Sequence, residues 1–321
     1  MKKNNKYFKR APCPLCGSSG SRRRYPINKA YAEEMSGIDI TEVDIGVDEC
    51  VRCGHQFVQP APLPPFLKAF YSSYMSEAKD GFYMERASEV ISPGFRSRYG
   101  KWLDRVRDAL KTEKPVLLDV GTGLGMFLRL AKEKGFEVAG VEPNREAATE
   151  LERRYGINVH CCLLEDLSTR NRYDAVTMLD IIEHMSDPRK AIDIVKGALK
   201  PGGLLLIEIP VRDSFIHWIV KGVYRATLSS VKRPIHQVYG VHHLQYFSSR
   251  SIRTFLEENG FKVLMSGYDE SDVKALCKRP GKGVLSMVKT LVYNAAMRGV
   301  FLAGKTVGKQ NKLIIIGRKE S

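Results

Sequence analysis

Apolar residues follow two rhythms along the chain. Short, mainly apolar runs alternate with segments whose apolar positions recur every three or four residues. Val116–Val120 is the first such run (Val-Leu-Leu-Asp-Val). It is too short for a helix and rich in aliphatic side chains, so it predicts a strand buried on both faces. Glu137–Val141, Ile157–His160, Asp174–Leu179 and Leu204–Ile209 repeat the pattern. Met126–Lys134, Asn144–Tyr155 and Pro188–Leu199 lie between them with helical spacing. This alternation predicts an α/β domain, a parallel sheet with helices on both faces.

Upstream the pattern changes. Thr41–Val47 reads as a strand, and Gln59–Pro65 carries four prolines, the mark of a stiff boundary. Phe66–Ala109 is rich in Phe, Tyr and Arg, with a helical stretch at Arg98–Leu110 and Pro93-Gly94 as an interruption. Its aromatic run, Phe70, Tyr71 and Tyr74, is expected to pack. The expected organisation is therefore a small domain over residues 1–60, a helical linker or lid over 61–112, and the α/β domain over 113–321. Two amphipathic insertions interrupt that domain, 213–240 and 270–310. The first mixes apolar residues with Lys221, Arg225, Lys232 and Arg233. The second includes Leu285, Val288, Leu291, Val292, Met297, Val300, Phe301 and Leu302.

A chain of 321 residues suits two domains, and 43% hydrophobic residues exclude wholesale disorder. No run approaches the roughly 18 apolar residues of a membrane span. The basic N-terminus lacks the apolar core of a secretory signal, so a cytoplasmic protein with reduced cysteines is expected. The net charge of +15 sits at the two ends. Residues 1–24 hold eight Lys/Arg and no acid, residues 25–211 net −5, and residues 212–321 net +12. Such basic ends suit solvated faces or an anionic partner.

Four of the seven cysteines form two knuckles, Cys13-Pro-Leu-Cys16-Gly and Cys50-Val-Arg-Cys53-Gly-His. Each C-x-x-C converges two sulfurs from one tight turn, and two of them supply the four thiolates of a tetrahedral zinc site. The expected metal ligands are Cys13, Cys16, Cys50 and Cys53, with structural Zn2+ in a zinc ribbon. His55 is a spare donor that a shell of four cysteines does not need. Cys161, Cys162 and Cys277 lack such spacing and are expected to be structural.

The first strand runs into Gly121-Thr-Gly-Leu-Gly125 and then a helix. A Gly-rich turn there lets a ligand approach bare backbone at the carboxyl edge of the sheet. Asp119 precedes it, and the glycine spacing departs from that of a dinucleotide site. The second strand ends in Glu142-Pro143-Asn144, and an acid at that tip can accept both hydroxyls of a ribose.

Together, LLDVGTGLG, VEPN, YDAVTMLDIIEHM and LKPGGLLLIEIP resemble the motifs of the class I S-adenosylmethionine-dependent methyltransferases, over roughly residues 95–321. The resemblance implies a Rossmann-like, seven-stranded sheet with a final antiparallel strand. Lys262–Gly267 and Lys312–Gly317 are the candidates for the last two strands. It also implies S-adenosylmethionine as cofactor. Asp119, Gly121, Thr122, Gly123 and Gly125 would hold its methionine part and ribose edge, and Glu142 its ribose hydroxyls, with Pro143 and Asn144 beside them. Leu163 and Leu164 would read the adenine through their backbone, since Leu163 stands where many relatives carry Asp. Asp180 and Ile181 would close over the methionine end.

The segment His242-His-Leu-Gln-Tyr-Phe-Ser248 resembles a branch that includes ubiquinone-biosynthesis O-methyltransferases and methyltransferases of sugars and glycans. That resemblance points to a small-molecule, sugar, glycan or lipid-linked acceptor. Glu183, His184 and His243 are the candidate catalytic residues, a His near neutral pKa being suited to take a hydroxyl proton. Asp180, Glu183 and His184 also match an acidic pattern thought to bind a divalent metal in ubiquinone-type relatives; the simpler reading is that Glu-His caps a strand–helix junction. The basic amphipathic insertions suit either a substrate lid or contact with an anionic membrane, on its inner face. Two other functions fit less of the sequence. An RNA methyltransferase would use the ribbon and basic ends for phosphates, but no Asn/Asp-Pro-Pro-Tyr motif is present. A non-catalytic module would have little need of the glycines and Glu142.

Overall fold

The computed structural model describes residues 6–77, 90–240, 242–269 and 284–320. The N-terminal part holds β1 (Phe8–Lys9), β2 (Ser21–Pro26), α1 (Lys29–Ser36), β3 (Gly46–Cys50), β4 (Gln56–Gln59) and β5 (Ala61–Pro62). Helix α1 begins where the Asn28 side chain accepts the Tyr31 N–H, and it stops at Gly37. Residues 41–45, expected within a strand, form a turn and a loop, and the strand begins only at Gly46.

The segment expected as one linker contributes to two cores. Helix α2 (Pro64–Glu77) buries Phe66 and Phe70 with Phe8, Tyr25 and Met35 of the N-terminal part. Helix α3 (Pro93–Leu110) buries Trp102, Leu103 and Val106 with residues of the main sheet. Pro93 does not interrupt this helix. It sits in the first turn behind the Ser92 cap, where its missing N–H costs nothing.

The rest of the chain alternates as predicted: β6 (Val116–Val120), α4 (Met126–Glu133), β7 (Glu137–Val141), α5 (Arg145–Tyr155), β8 (Asn158–His160), β9 (Tyr173–Leu179), α6 (Pro188–Ala198) and β10 (Leu199–Pro210). Then follow α7 (Phe215–Ala226), α8 (Arg233–Val238), β11 (Gln245–Tyr246), α9 (Ser249–Glu258), β12 (Phe261–Asp269), α10 (Val284–Thr306) and β13 (Lys312–Lys319). The main sheet has seven strands in the order β12-β13-β10-β9-β6-β7-β8. β13 runs antiparallel to both neighbours, and β10, β9, β6, β7 and β8 are mutually parallel. Side chains alternate across the sheet, so Leu118 and Val120 join one core and Leu117 the other.

The chain leaves β6 toward β7 and β8, then crosses back to place β9 on the other side of β6. That reversal puts a topological switch point at the carboxyl ends of β6 and β9, where open α/β sheets bind ligands. A second sheet, β11-β4-β3-β2, is antiparallel throughout. Its edge strand β11 comes from the HHLQYF segment, so one sheet is shared by the two ends of the chain. Cys161 is exposed and Cys162 half-buried after β8. Cys277 lies outside the described residues.

Candidate active site

Near the end of strand β6 stands Asp119, buried beside its sheet partner Thr177. Thr177 Oγ1 donates to Asp119 Oδ1 at 2.5 Å. Burial raises the carboxyl to about 7, against the pull of that hydrogen bond. Asp119 thus braces the loop from inside the sheet. Thr122 also turns inward, and its methyl group occupies the space a Cβ at Gly140 would take.

Gly121 has φ +73, and a Cβ there would lie 2.2 Å from Ile181 Cδ1. The loop after β9 therefore closes directly on the glycine turn through Ile181. Gly123 and Gly125 also have positive φ. The Gly123 N–H donates to Glu142 Oε2 at 2.8 Å, and the Asn144 N–H donates to Oε1 at 2.9 Å. Asn144 spends its own side chain on the Ala147 N–H, as the cap of α5. Pro143 is exposed.

Glu142 is 6% exposed, and burial raises its pKa despite the two backbone donors. Among the described residues no cation pairs with it. A carboxylate offers about four acceptor positions; backbone donors use two. The other two suit a pair of vicinal hydroxyls, so a ribose fits this acid. On the far side of β7, Leu163 is exposed and Leu164 is buried, opening a short 3₁₀ turn.

The three candidate catalytic side chains come together from positions about sixty residues apart. Ligand atoms of Glu183, His184 and His243 all lie within 4.8 Å of one another. Glu183 and His184 sit in a 3₁₀ turn after β9. The Leu244 N–H donates to the Glu183 carbonyl at 2.8 Å, pinning the HHLQYF segment to that turn. His184 Nδ1 lies 2.7 Å from the His242 carbonyl. A carbonyl only accepts, so Nδ1 carries the proton and Nε2 is the basic atom. Burial lowers the pKa of His184, keeping the ring neutral. His243 packs edge-on against His184 at 4.8 Å between ring centres, and burial lowers it too. Both Glu183 carboxylate oxygens are buried without a hydrogen-bond partner. Burial and the nearby Asp180 charge hold this carboxyl well above its usual range.

Asp180 belongs to a different group. It has φ +55 and is bonded to Lys312 Nζ. Lys312 also donates to Glu208 Oε1 at 2.7 Å, and Arg98 Nη2 donates to the same oxygen at 3.1 Å. Arg98 Nε reaches Asp269 Oδ2 at 3.2 Å. The network ties α3, β10, β12 and β13 to the site, and the motif reading missed Lys312, Glu208 and Arg98. The signal was present: an acid in the apolar run Leu204–Ile209 must find a buried partner.

In the N-terminal part, Cys13 Sγ and Cys53 Sγ lie 3.6 Å apart, Cys16 Sγ and Cys50 Sγ 3.5 Å apart, and all four sulfurs are within 4.8 Å. Sulfurs about 2.3 Å from one tetrahedral ion would be about 3.8 Å apart. Burial raises the Cys13 thiol, and it raises Cys53 to about 11. At Cys50 burial is outweighed by the Cys53 and Arg52 N–H groups, which bring it to about 7. The four sulfurs could hold a zinc-like ion. His55 stands outside this group of four, buried with Nε2 3.0 Å from Gln245 Oε1.

Residues 95–266, more than half of the chain, match the family described as "Methyltransferase domain". The ubiquinone biosynthesis O-methyltransferase of Bradyrhizobium sp. (strain ORS 278) is 31% identical over 115 residues, 34% of this chain and 46% of that protein. Its counterpart from Nitrobacter winogradskyi is 31% identical over 128 residues, 38% of this chain and 48% of that one. The chain thus spans about half the length of these curated relatives. Among solved structures, the Burkholderia thailandensis 1,6-didemethyltoxoflavin-N1-methyltransferase is 13% identical with a TM-score of 0.50, covering 84% of this chain and 98% of that one. That likeness is one of fold.

Proposed function

Because the chain belongs to the methyltransferase-domain family, we propose that it transfers a methyl group from S-adenosylmethionine to a hydroxyl of a small-molecule, glycan or lipid-linked acceptor. The observation that carries this reading is the convergence of Glu183, His184 and His243 beside the loop that closes on Gly121. When bound, the cofactor supplies a methyl group already activated by its sulfonium. Glu142 and the Gly123 turn hold the ribose, and Leu163 and Leu164 line the adenine side. His184 Nε2 takes the acceptor proton, held in register by the bond from Nδ1 to the His242 carbonyl. The remaining task is alignment, which the shared sheet and the Leu244–Glu183 bond maintain.

The same three side chains offer the carboxylate and two imidazoles of a divalent cation site. The unpartnered Glu183 oxygens favour this second reading. Such an ion would lower the pKa of the acceptor hydroxyl. Asp180, the remaining member of the acidic pattern, is bonded through Oδ2 to Lys312.

The test uses S-adenosylmethionine tritiated in the methyl group, with lipid, soluble-glycan and RNA fractions of a cell extract. Label is expected in a lipid or glycan fraction. His184→Ala should lower its rate roughly 100-fold or more, with cofactor affinity unchanged by calorimetry. Loss of activity on chelation, restored by a divalent ion, would select the second reading. Label confined to RNA would overturn the small-molecule acceptor.

We assign the four cysteines to a structural zinc ion, whose role is to hold the two knuckles together. Cys13→Ser should reduce zinc from one equivalent to almost none in elemental analysis. Retention of a full equivalent would refute the assignment.

A further inference from the structure

Helix α10 presents its apolar residues on both sides. Tyr293, Met297, Val300, Phe301 and Gly304 turn toward the protein, half-buried or buried. Its C-terminal end packs on α7: a Cβ at Gly304 would lie 3.4 Å from Phe215 Cβ, and the Phe215 N–H donates to the Lys309 carbonyl at 2.8 Å. The opposite face carries Val288, Leu291, Val292, Ala295 and Leu302, spaced as one helical stripe and all exposed. Leu291 is 70% exposed and Leu302 65%. On α7, Trp218 is 70% exposed, and Leu228 just beyond the helix is 89% exposed. Scattered exposed aliphatics are ordinary; a stripe continued onto a neighbouring helix is a surface that something covers.

Charge selects what covers it. Residues 214–256 and 273–319 contain no Asp or Glu. Lys289, Arg298 and Lys305 flank the α10 stripe, Arg225 lies in the last turn of α7, and Lys232 and Arg233 lie beyond it; all six are exposed. A wide apolar stripe with basic flanks and no acid complements an anionic lipid surface, where aliphatic and Trp side chains enter the headgroup boundary and cations stay at the phosphates. No helix among the described residues is long and apolar enough to cross a membrane, so the contact is parallel to the surface. The segment carrying α7 and α8 also connects the end of β10 to the histidine cluster. Docking would therefore place the acceptor side of the site near the lipid headgroups.

We propose that α10 and the exposed edge of α7 dock the protein on an anionic bilayer, and that its acceptor is a lipid-linked molecule met there. The acceptor half of this inference rests on the methyltransferase reading; the docking half does not.

The test is flotation of the full chain with vesicles of phosphatidylcholine and phosphatidylglycerol in equal parts, without cofactor. Wild type should float with these vesicles and not with pure phosphatidylcholine. Leu291→Glu, on the outer face, should reduce flotation at least tenfold while leaving S-adenosylmethionine affinity unchanged. Replacing Lys289, Arg298 and Lys305 by Gln should weaken flotation and its salt dependence. Methyl label entering the lipid fraction should fall with flotation in both variants. No flotation of wild type, or equal flotation of Leu291→Glu, would overturn docking. A dimer dissociated by Leu291→Glu, without flotation, would assign the stripe to a second copy and overturn it as well. Flotation with label only in soluble glycans would keep the docking half and overturn the lipid-linked acceptor.

Discussion

Glu142→Ala is expected to weaken S-adenosylmethionine binding by two to three orders of magnitude in calorimetry. Hydrogen bonds to a charged group contribute about 1.5–3 kcal/mol each, and a ribose offers two hydroxyls to this carboxylate. The substitution also leaves the Gly123 and Asn144 N–H groups without their acceptor, so part of the loss is loosening of the glycine turn itself. Glu142→Gln separates the two effects. Its amide oxygen can still accept one backbone N–H, while its NH2 group can no longer accept the second hydroxyl. An intermediate affinity is expected. Unchanged affinity in Glu142→Ala would remove the ribose assignment and with it the cofactor site.

Lys312→Met is expected to cost roughly 3–5 kcal/mol of stability, the usual penalty for leaving one side of a buried ion pair uncompensated. Lys312 is the cation between Asp180 and Glu208, and Glu208 is fully buried. Burial already raises the Glu208 pKa even with Lys312 present; without that cation it should rise further. A carboxyl whose folded pKa lies above its unfolded value stabilises the protein most at low pH, and that contribution is lost as pH rises through the folded pKa. The deficit of the variant should therefore be largest at neutral pH and shrink in acid. Urea midpoints at several pH values would show it, and the added change Glu208→Gln should recover part of the loss. A pH-independent deficit would mean that lost packing, not charge, is responsible.

The sheet could be read from the sequence because its strands are buried on both faces. Runs such as Val116–Val120 and Leu204–Ile209 leave little choice of structure, and helical spacing marks what lies between. The glycine turn, Glu142 and the cysteine knuckles could also be read, since each depends on local spacing. Three features stayed hidden, two of them because they depend on contacts between distant segments. Pro93 looks like a breaker until Ser92 is seen to cap the helix it begins. The bond that Lys312, at the far end of the chain, makes to Asp180 could not be read from local spacing. The packing of the Thr122 methyl group over Gly140 is the third, since eighteen residues separate the two. The meeting of His243 with Glu183 and His184 was expected only as a set of alternatives; tertiary structure made it one cluster.

The pairing of β11 with β4 bears on how this protein can be divided. Tyr239 and Tyr246 lie in the same core as Tyr25, and the Tyr239 hydroxyl donates to Gln56 Oε1 at 2.9 Å. A gene trimmed to the methyltransferase domain would strip β11 of its neighbour, open that core and free the segment that carries His243. For fusion, shuffling or minimisation, the N-terminal part and the methyltransferase domain share a sheet and a core and are to be kept together. A shorter catalytic version would have to be sought by redesigning the β11 edge, not by cutting at the proline-rich boundary.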